Sequence, residues 1–272
     1  MSNFSDSYQK MYQYIEKIKT NRKYLISIII PVYNEEYTVF SVLKSLPKNN
    51  KIEIIVIDDH SKDNSIKEIE RAQKLLNIKL IKHIKNGGYG KAILTGIKNA
   101  NGSILITMDS DGQHLARDIF TLVKPILDGE AEFTIGSRYL GSFNYRLPLS
   151  TRIGEVFVEI LLWIFFGQRV ASNQGGFRAF NRKIMHIFNN IQYPDFAFTT
   201  ELIIRAKIYG YRIKECPIKL MDRAHGKSRI KLKNLAMNII FCIARYFILK
   251  IKMKAFKEKQ LHYIKKSRFY KS

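Results

Sequence analysis

The chain has little cysteine, few acidic residues and no long uninterrupted apolar run. Cys216 and Cys242 are the two cysteines among 272 residues, and they form no CxxC pair, which argues against a disulfide framework and a zinc ribbon. The two most apolar windows of the sequence are interrupted by Glu159 and Arg245. Neither window reaches the roughly 18–20 apolar residues that a membrane-spanning helix needs, so no spanning helix is predicted.

Acidic residues are outnumbered two to one by basic residues. The 46 Lys and Arg against 23 Asp and Glu give a formal net charge of +23. Residues 222–272 hold 15 Lys and Arg but two acidic residues, a net of +13. An excess of this size favours an anionic partner, which is a nucleic acid, an acidic membrane face or a phosphorylated substrate. Because 46% of the residues are hydrophobic, a disordered chain is excluded.

Strand and helix patterns alternate in the first half of the chain. Five apolar runs rich in β-branched residues occur there, at Ile26–Val32, Ile52–Ile57, Ile78–Ile84, Ile104–Met108 and Phe133–Ile135. This alternation predicts an α/β fold with a mostly parallel sheet flanked by helices. Beyond it we predict a loop at 138–152, helices at 153–166 and 198–209, an irregular or β segment at 173–182, a strand at 211–217 and a final helix.

The chain is expected to divide into three segments. Residues 1–24 form an amphipathic extension, residues 25–230 one α/β domain, and residues 231–272 a basic amphipathic helix with a tail.

Acidic residues follow several of the predicted strands. Glu35 follows the first, Asp59 the second, and Asp109 and Asp111 the fourth. Ligands of open α/β sheets bind at the carboxyl ends of the strands. Two carboxylates in an Asp-x-Asp pair suit Mg²⁺ or Mn²⁺, with Gln113 as a third oxygen donor. A lone Asp-x-Asp is more often a solvated turn, and the neighbouring acidic residues favour the metal site.

A glycine-rich segment, Asn86–Lys91, lies between a predicted strand and a helix. Its backbone N–H groups and Lys91 are candidates for receiving phosphate, although a structural turn fits the segment equally well. It is neither a Walker A loop nor a dinucleotide-binding Gly-x-Gly-x-x-Gly motif, which argues against an ATPase and a dehydrogenase.

The order of these motifs resembles family-2 glycosyltransferases with a Rossmann-like GT-A fold, and more narrowly the dolichol-phosphate mannose synthase branch. The resemblance covers residues 25–229. It rests on the segments Ile29–Glu36, Val56–Asp63, Gly88–Ala92, Met108–His114, Gly136–Tyr139, Gly176–Phe180 and Arg223–Arg229.

The resemblance implies roles for individual residues. The nucleotide sugar would be bound by Pro31, Tyr33, Glu35, Ile57, Asp59, Lys91, Asp109, Ser110, Asp111 and Gln113. The metal, Mg²⁺ or Mn²⁺, would be held by Asp109, Asp111 and Gln113. The acceptor phosphate would be bound by Arg138, Arg146, Ser150, Arg152, Arg223, Ser228 and Arg229, and catalysis would depend on Asp111, Arg138, Arg223 and Arg229.

Two departures from the branch pattern leave the sugar and the acceptor open. Arg229 stands where the branch has Lys, and Ser172–Gly175 replaces an Asp-Pro-x-Ser run.

The chemistry of the acceptor divides two hypotheses. A phosphomonoester, with a second pKa of about 6, is already largely dianionic at neutral pH and needs cations rather than a general base. A saccharide hydroxyl needs a base, and the candidate is Glu201. Glu201 is equally well explained as a first-turn residue that is favoured by the helix dipole.

Two apolar helices are candidates for contact with a membrane. The C-terminal helix has an apolar surface that includes Ile240 and Ile248, with Arg245 and Lys252 on a polar stripe, and residues 160–165 form a second apolar surface. Core packing explains each helix as well. The nine Lys and Arg of residues 250–271 favour an anionic surface, because each basic residue near such a surface contributes about 1 kcal/mol.

The leading hypothesis is therefore a metal-dependent, inverting glycosyltransferase at the cytoplasmic face of a membrane. It would move a hexose from a nucleotide sugar, with GDP-mannose favoured and a UDP-hexose as the other candidate, to a polyprenyl phosphate. The alternatives are transfer to a saccharide hydroxyl and, less favoured, binding of nucleic acid. The basic residues crowd near an apolar helix instead of interleaving with aromatics along a groove, which argues against nucleic acid.

Overall fold

The computed structural model describes residues 2–143, 149–195, 197–223 and 236–252. The helices are α1 (Ser2–Glu16), α2 (Val39–Lys44), α3 (Ser65–Gln73), α4 (Tyr89–Asn99), α5 (Ile119–Leu127), α6 (Leu149–Phe166), α7 (Phe198–Ile208) and α8 (residues 236–252). The strands are β1 (Ile26–Val32), β2 (Ile52–Asp58), β3 (Ile78–Lys82), β4 (Ile104–Thr107), β5 (Phe133–Phe143), β6 (Arg178–Asn181) and β7 (Ile213–Leu220).

The strands form one sheet in the order β3-β2-β1-β4-β6-β5-β7. Strands β3, β2, β1 and β4 pair in parallel with one another, and β5 pairs in parallel with β7. Strand β6 runs antiparallel to both β4 and β5. Ile26 of β1 lies opposite Ile52 of β2 and Ile104 of β4, so these strands start in step. The mostly parallel α/β sheet that the sequence predicts is confirmed.

The bounds predicted for the loop at 138–152 are wrong, because a strand extends into it from one end and a helix from the other. β5 continues to Phe143, and α6 already begins at Leu149. The register between β5 and β7 shifts between Ser137 and Ser142, after which pairing with β7 resumes. The strand is thus extended by a partner that lies about 80 residues later in the chain.

Alternate residues of the central strands enter separate cores on the two faces of the sheet. Ile28 and Ile30 belong to the core that contains α1, α2, α3 and α5. Ile29 belongs to the core beneath α4, α6, α7 and α8. Burial on both faces explains why these strands are continuously apolar. Met11 and Ile15 of α1 are fully buried, so the amphipathic extension is docked on the sheet domain.

No helix in the described part of the chain is both long enough and apolar enough to cross a membrane.

Glu132 fastens the amino-terminal ends of β5 and β7 together. Its carboxylate accepts hydrogen bonds from the backbone N–H of Arg212 (2.9 Å), from the Arg212 guanidinium (2.5 Å) and from Lys183 (3.0 Å). These bonds, foremost those from Arg212, lower the pKa of Glu132 from its ordinary value of 4.5 to about 2. The side chain is 8% exposed, so the bonds are partly protected from water.

The lowered pKa makes Glu132 a source of pH-dependent stability. The stabilisation is fully present above pH 4.5 and is lost as the pH falls towards 2, where the folded-state carboxylate becomes protonated. We expect Glu132→Gln to lower the free energy of unfolding by about 2 kcal/mol at pH 7. Urea unfolding at pH 7, 4 and 3 should find a shrinking difference from the wild type; a difference that stays constant would contradict this assignment.

Candidate active site

A cleft of about 420 Å³ lies at the carboxyl edge of the parallel strands. Because β1, β2 and β4 run in the same direction, the segments that follow them meet there. The cleft is lined by Pro31, Val32, Tyr33, Glu35, Asp59, Asn86, Gly88, Tyr89, Ala92, Asp109, Ser110, Asp111, Gln174, Gly176, Thr199 and Arg223. Eight of the residues predicted for the site are thus brought together: Pro31, Tyr33, Glu35, Asp59, Asp109, Ser110, Asp111 and Arg223.

Asp59 shapes the glycine-rich segment. Its two carboxylate oxygens accept hydrogen bonds from the backbone N–H groups of Gly87 and Gly88, each at 2.8 Å. The ring of His83 contacts the same carboxylate through Nδ1 at 2.7 Å and Thr95 through Nε2 at 2.9 Å. The two N–H groups are therefore occupied by Asp59, and the prediction that they receive phosphate does not hold for them.

Arg223 neutralises part of the acidic wall. Its guanidinium donates to Oδ2 of Asp111 from Nε at 3.1 Å and from Nη2 at 2.8 Å. The same Nη2 lies 3.8 Å from Glu35. The segment after β7 thus brings its first arginine to the carboxylates that follow β1 and β4.

Asp109 retains an unsatisfied oxygen. Its Oδ1 is buried and accepts no hydrogen bond from the residues that the structure describes. Burial raises the pKa of Asp109 and the charge of Asp111 acts in the same direction, whereas His114, a hydrogen bond from the Tyr89 hydroxyl and Arg223 oppose it. Burial and the Asp109 charge likewise raise the pKa of the neighbouring Tyr89 hydroxyl. An anionic oxygen without a partner beside a second carboxylate fits a hard divalent cation.

The third predicted metal ligand is not on the cleft wall. The side-chain amide of Gln113 donates to the carbonyl of Met221 at 3.2 Å, and its backbone N–H donates to Asp111 at 3.0 Å. No group of three or more His, Cys, Asp and Glu side chains suited to a metal occurs in the described ranges. Two carboxylates would leave most coordination positions to water and substrate phosphate, which is usual for Mg²⁺.

Arg178 supports the opposite wall and was not predicted. This guanidinium is 2% exposed and donates to the carbonyls of Gly175 (2.7 Å), Asn173 (2.7 Å) and Thr199 (2.8 Å). Burial lowers its pKa to about 10, which leaves it charged at neutral pH. Its three bonds join the segment before β6 to the start of α7, and Gln174 is held there between threonine hydroxyls. Its place in the Gly176–Phe180 motif was the one signal in the sequence.

Other predicted phosphate-binding arginines have protein partners or are not described. Arg138 donates to both oxygens of Glu155, at 2.6 and 2.7 Å, and does not line the cleft. The Arg152 guanidinium stacks 4.0 Å over the Tyr139 ring. Arg146, Ser228 and Arg229, and the side chain of Ser150, lie outside the described residues.

Three further predicted site residues do not face the cleft. Ile57 is fully buried in the core beneath α4, and Lys91 is exposed outside the cleft wall. Glu201 is fully buried and accepts hydrogen bonds from the backbone N–H groups of Gln192 (2.9 Å) and Tyr193 (2.8 Å) and from the Tyr246 hydroxyl (2.5 Å). Its oxygens are occupied away from the cleft, so the geometry gives no support to Glu201 as the general base of the alternative hypothesis.

The open sheet, the cleft at its carboxyl edge and the paired aspartates after β4 define a GT-A-like nucleotide-sugar transferase. The chain belongs to glycosyl transferase family 2, whose sequence profile matches residues 27–188.

Two curated relatives match most of the chain. An uncharacterised protein of Methanocaldococcus jannaschii is 34% identical over 209 residues, which are 75% of this chain and 84% of that protein. The UDP-N-acetylglucosamine–dolichyl-phosphate N-acetylglucosaminyltransferase of Methanococcus voltae is 32% identical over 223 residues, which are 75% of this chain and 89% of that enzyme.

A further curated relative and a solved structure extend the likeness. The dolichol-phosphate mannosyltransferase of Pyrococcus furiosus is 27% identical over 77% of this chain and 60% of that enzyme. Glucosyl-3-phosphoglycerate synthase from Mycobacterium tuberculosis, crystallised with Mn²⁺, UDP and phosphoglyceric acid, has a TM-score of 0.64 at 19% identity, covering 82% of this chain and 78% of that chain. This last likeness is one of fold.

Gly176 gives a sharp test of the cleft geometry. A Cβ at this position would lie 2.5 Å from Oδ1 of Asp109 and 2.6 Å from the Tyr89 hydroxyl. We expect Gly176→Ala to weaken Mn²⁺-dependent binding of UDP or GDP at least about tenfold, because overpacking displaces the carboxylate. Calorimetric titration measures the effect. Gly175→Ala, whose Cβ would meet its nearest neighbour at 3.3 Å, is the matched control, and equal affinities of the two variants would contradict the assignment.

Proposed function

We propose that this protein transfers a sugar from a nucleotide sugar to a polyprenyl phosphate of the dolichyl type, at a membrane surface and with a divalent cation. The observation that carries the proposal is the contact of Arg223 with Asp111 and Glu35. It brings the first arginine of the Arg223–Arg229 segment, which the sequence resemblance assigns to the acceptor phosphate, to the carboxylates proposed for the donor site. Two of the relatives carry dolichyl-phosphate or dolichol-phosphate glycosyltransferase names, which supports the same acceptor.

The donor half of the reaction depends on the carboxyl edge of β1, β2 and β4. Pro31, Tyr33 and Glu35 line the cleft near the Asp59-bound segment, which suits the nucleoside. Asp109, through its unsatisfied Oδ1, and the nearby carboxylate of Asp111 would hold the cation. When bound, a divalent cation neutralises the charge that develops on the departing diphosphate. Related folds were crystallised with Mn²⁺ or Mg²⁺ and UDP, which supports a divalent cation in general terms.

The acceptor half needs a fixed cation more than a base. A phosphate dianion is itself a sufficient nucleophile at neutral pH. Arg223 has five N–H donors, and two of them are used in its bonds to Asp111. The remaining donors can hold an acceptor phosphate while the guanidinium stays beside the donor site. The alternative hypothesis, transfer to a saccharide hydroxyl, has less support, because its candidate base Glu201 does not line the cleft.

Helices α6 and α8 support attachment to a membrane. They pack together through Phe165 and Phe247, whose ring centroids lie 4.7 Å apart, and through Lys250, which donates to the carbonyl of Phe165 at 2.8 Å. One face of α8 enters the core, with Ile239, Cys242, Ile243 and Tyr246 buried. Many other apolar side chains of the two helices are exposed, among them Ile153, Phe157, Ile160, Trp163, Ile164, Met237, Ile240, Phe241, Ile248, Leu249 and Ile251. This apolar surface, together with the basic sequence that follows it, suits an anionic bilayer.

A transfer assay tests the reaction. The purified protein is incubated with Mg²⁺ or Mn²⁺, labelled GDP-mannose, UDP-glucose or UDP-N-acetylglucosamine, and dolichyl or undecaprenyl phosphate. We expect labelled lipid with at least one donor, and Asp111→Asn should abolish it. Arg223→Ala should lower kcat/KM by about 100-fold, since it removes a charge-assisted contact to phosphate.

Glu132→Gln, which lies away from the cleft, is the matched carboxylate control and should retain activity. Label in an added saccharide with none in lipid would refute the proposed acceptor.

The single tryptophan reports on membrane contact. Trp163 is 49% exposed within the apolar surface of α6 and α8. Adding phosphatidylglycerol vesicles should shift its fluorescence to the blue, and neutral phosphatidylcholine vesicles should do so more weakly. Phe241→Asp should weaken vesicle binding about tenfold or more, because burial of a phenylalanine contributes about 1.5–3 kcal/mol. Leu75→Asp, at a site 50% exposed on the other face of the sheet, is the control. An emission spectrum that does not change with vesicles would contradict the membrane surface.

A further inference from the structure

The buried carboxylate of Glu201 has no part in the proposed chemistry, yet it joins three parts of the protein. It belongs to α7, and it accepts from the backbone N–H groups of Gln192 and Tyr193 and from the hydroxyl of Tyr246 in α8. Arg205, one turn later in α7, lies 3.6 Å from it and donates to the Tyr246 hydroxyl at 3.0 Å. Because a buried carboxylate is costly without donors, these bonds fix the local backbone strongly.

The backbone that Glu201 holds continues directly into contact with the cleft. Residues 194 and 195 directly follow the two residues whose N–H groups Glu201 binds, and Pro194 lies against the start of α4. A Cβ added to Gly90 would lie 2.1 Å from the Pro194 carbonyl oxygen. A Cβ added to Gly88 would lie 3.3 Å from the Asp195 carboxylate. The 192–195 turn is thus packed against Gly88 and Gly90, and Asp59 binds Gly87 and Gly88 of the same glycine-rich segment.

Two carboxylates therefore clamp one segment. Asp59 binds residues 87 and 88 directly, and Glu201 holds the turn that covers residues 88–90. Gly88 and Tyr89 line the cleft, so a shift of the turn would be transmitted to the cleft wall. The Tyr246 hydroxyl links the same carboxylate to α8.

We propose that Glu201 is a positioning residue for the donor site: it holds the 192–195 turn against the glycine-rich segment and so sets the affinity for the nucleotide. The inference rests on the proposed function in one respect, namely that this end of the cleft receives the nucleotide. Glu201 does not touch the reacting atoms, and its loss affects nucleotide binding more than the rate of the chemical step.

The test compares Glu201→Gln with Glu132→Gln. Both replacements are isosteric and both remove a buried carboxylate that is bonded to backbone and side-chain donors, but Glu132 lies at the opposite ends of the strands. In Glu201→Gln, one carboxylate oxygen is replaced by an NH₂ group, which cannot accept from the N–H of Gln192 or Tyr193. Hydrogen exchange of the backbone amides of residues 86–91 should become about tenfold faster. The free energy of local opening of this segment is lowered by the contribution of one or two hydrogen bonds. In Glu132→Gln the exchange of these amides should equal that of the wild type.

Nucleotide affinity gives the second readout. With Mn²⁺ and UDP or GDP as probes and no acceptor present, Kd should rise about tenfold in Glu201→Gln and stay unchanged in Glu132→Gln. With the complete reaction, donor KM should rise while kcat changes by less than about threefold. If Glu201→Gln does not fold, Tyr246→Phe takes its place, with about threefold faster exchange expected because the two backbone donors remain.

Equal exchange rates and equal nucleotide affinities in the Glu201 and Glu132 variants would overturn the inference and leave Glu201 a stabilising residue only. The same holds for unchanged exchange in Tyr246→Phe where that variant is used. Neither readout involves a lipid, so failure of the proposed acceptor appears separately, as nucleotide binding in the wild type without labelled polyprenyl product.

Discussion

The crowding of negative charge at one edge of the sheet is the constraint on which the site depends. Parallel pairing of β1, β2 and β4 brings Glu35, Asp59, Asp109 and Asp111 to one cleft, where their mutual repulsion has to be offset by hydrogen-bond donors or cations. The carboxylates differ in the hydrogen-bond donors that offset this repulsion. Asp59 is satisfied by two backbone N–H groups and His83, and Asp111 by Arg223, whereas Asp109 keeps a buried oxygen without a donor in the described chain. The position of that oxygen is the reason for proposing the cleft as a cation site.

The strands were predictable where burial on both faces imposes a continuous apolar run. β1 was predicted with its observed bounds for that reason. β5 was predicted too short, because its outer half is held by pairing with β7 and carries no such run. The same limit applied to the site. The strand-end acidic residues were predicted to converge, but the contact of Asp59 with His83, and the three carbonyls bound by Arg178, depend on chain segments that meet only in the folded protein.

Helix α8 illustrates why an apolar pattern alone left core packing and membrane contact open. Its sequence is apolar over most of its circumference, so the periodicity does not say which face packs on the protein. The structure assigns Ile239, Ile243 and Tyr246 to the core and leaves Phe241 and Ile248 exposed. Core packing therefore holds for one face of the helix, and the proposed membrane contact concerns the other face. A helix that is seated in this way can contact a bilayer and still be bonded, through Tyr246, to the interior of the enzyme.

What separates the roles of the buried carboxylates is the number of donors that each already holds. Glu201 and Asp109 are both acidic residues near ends of regular elements, and residue type alone made one a candidate base and the other a candidate metal ligand. Glu201 accepts from two backbone N–H groups and a tyrosine hydroxyl and does not line the cleft, so it does not reach a substrate bound there. Asp59 lines the cleft but is equally satisfied, and its contribution is to the shape of the glycine-rich segment. The free Oδ1, rather than place in the sequence, thus distinguishes Asp109 from Glu201 and Asp59, whose oxygens are taken by donors of the protein.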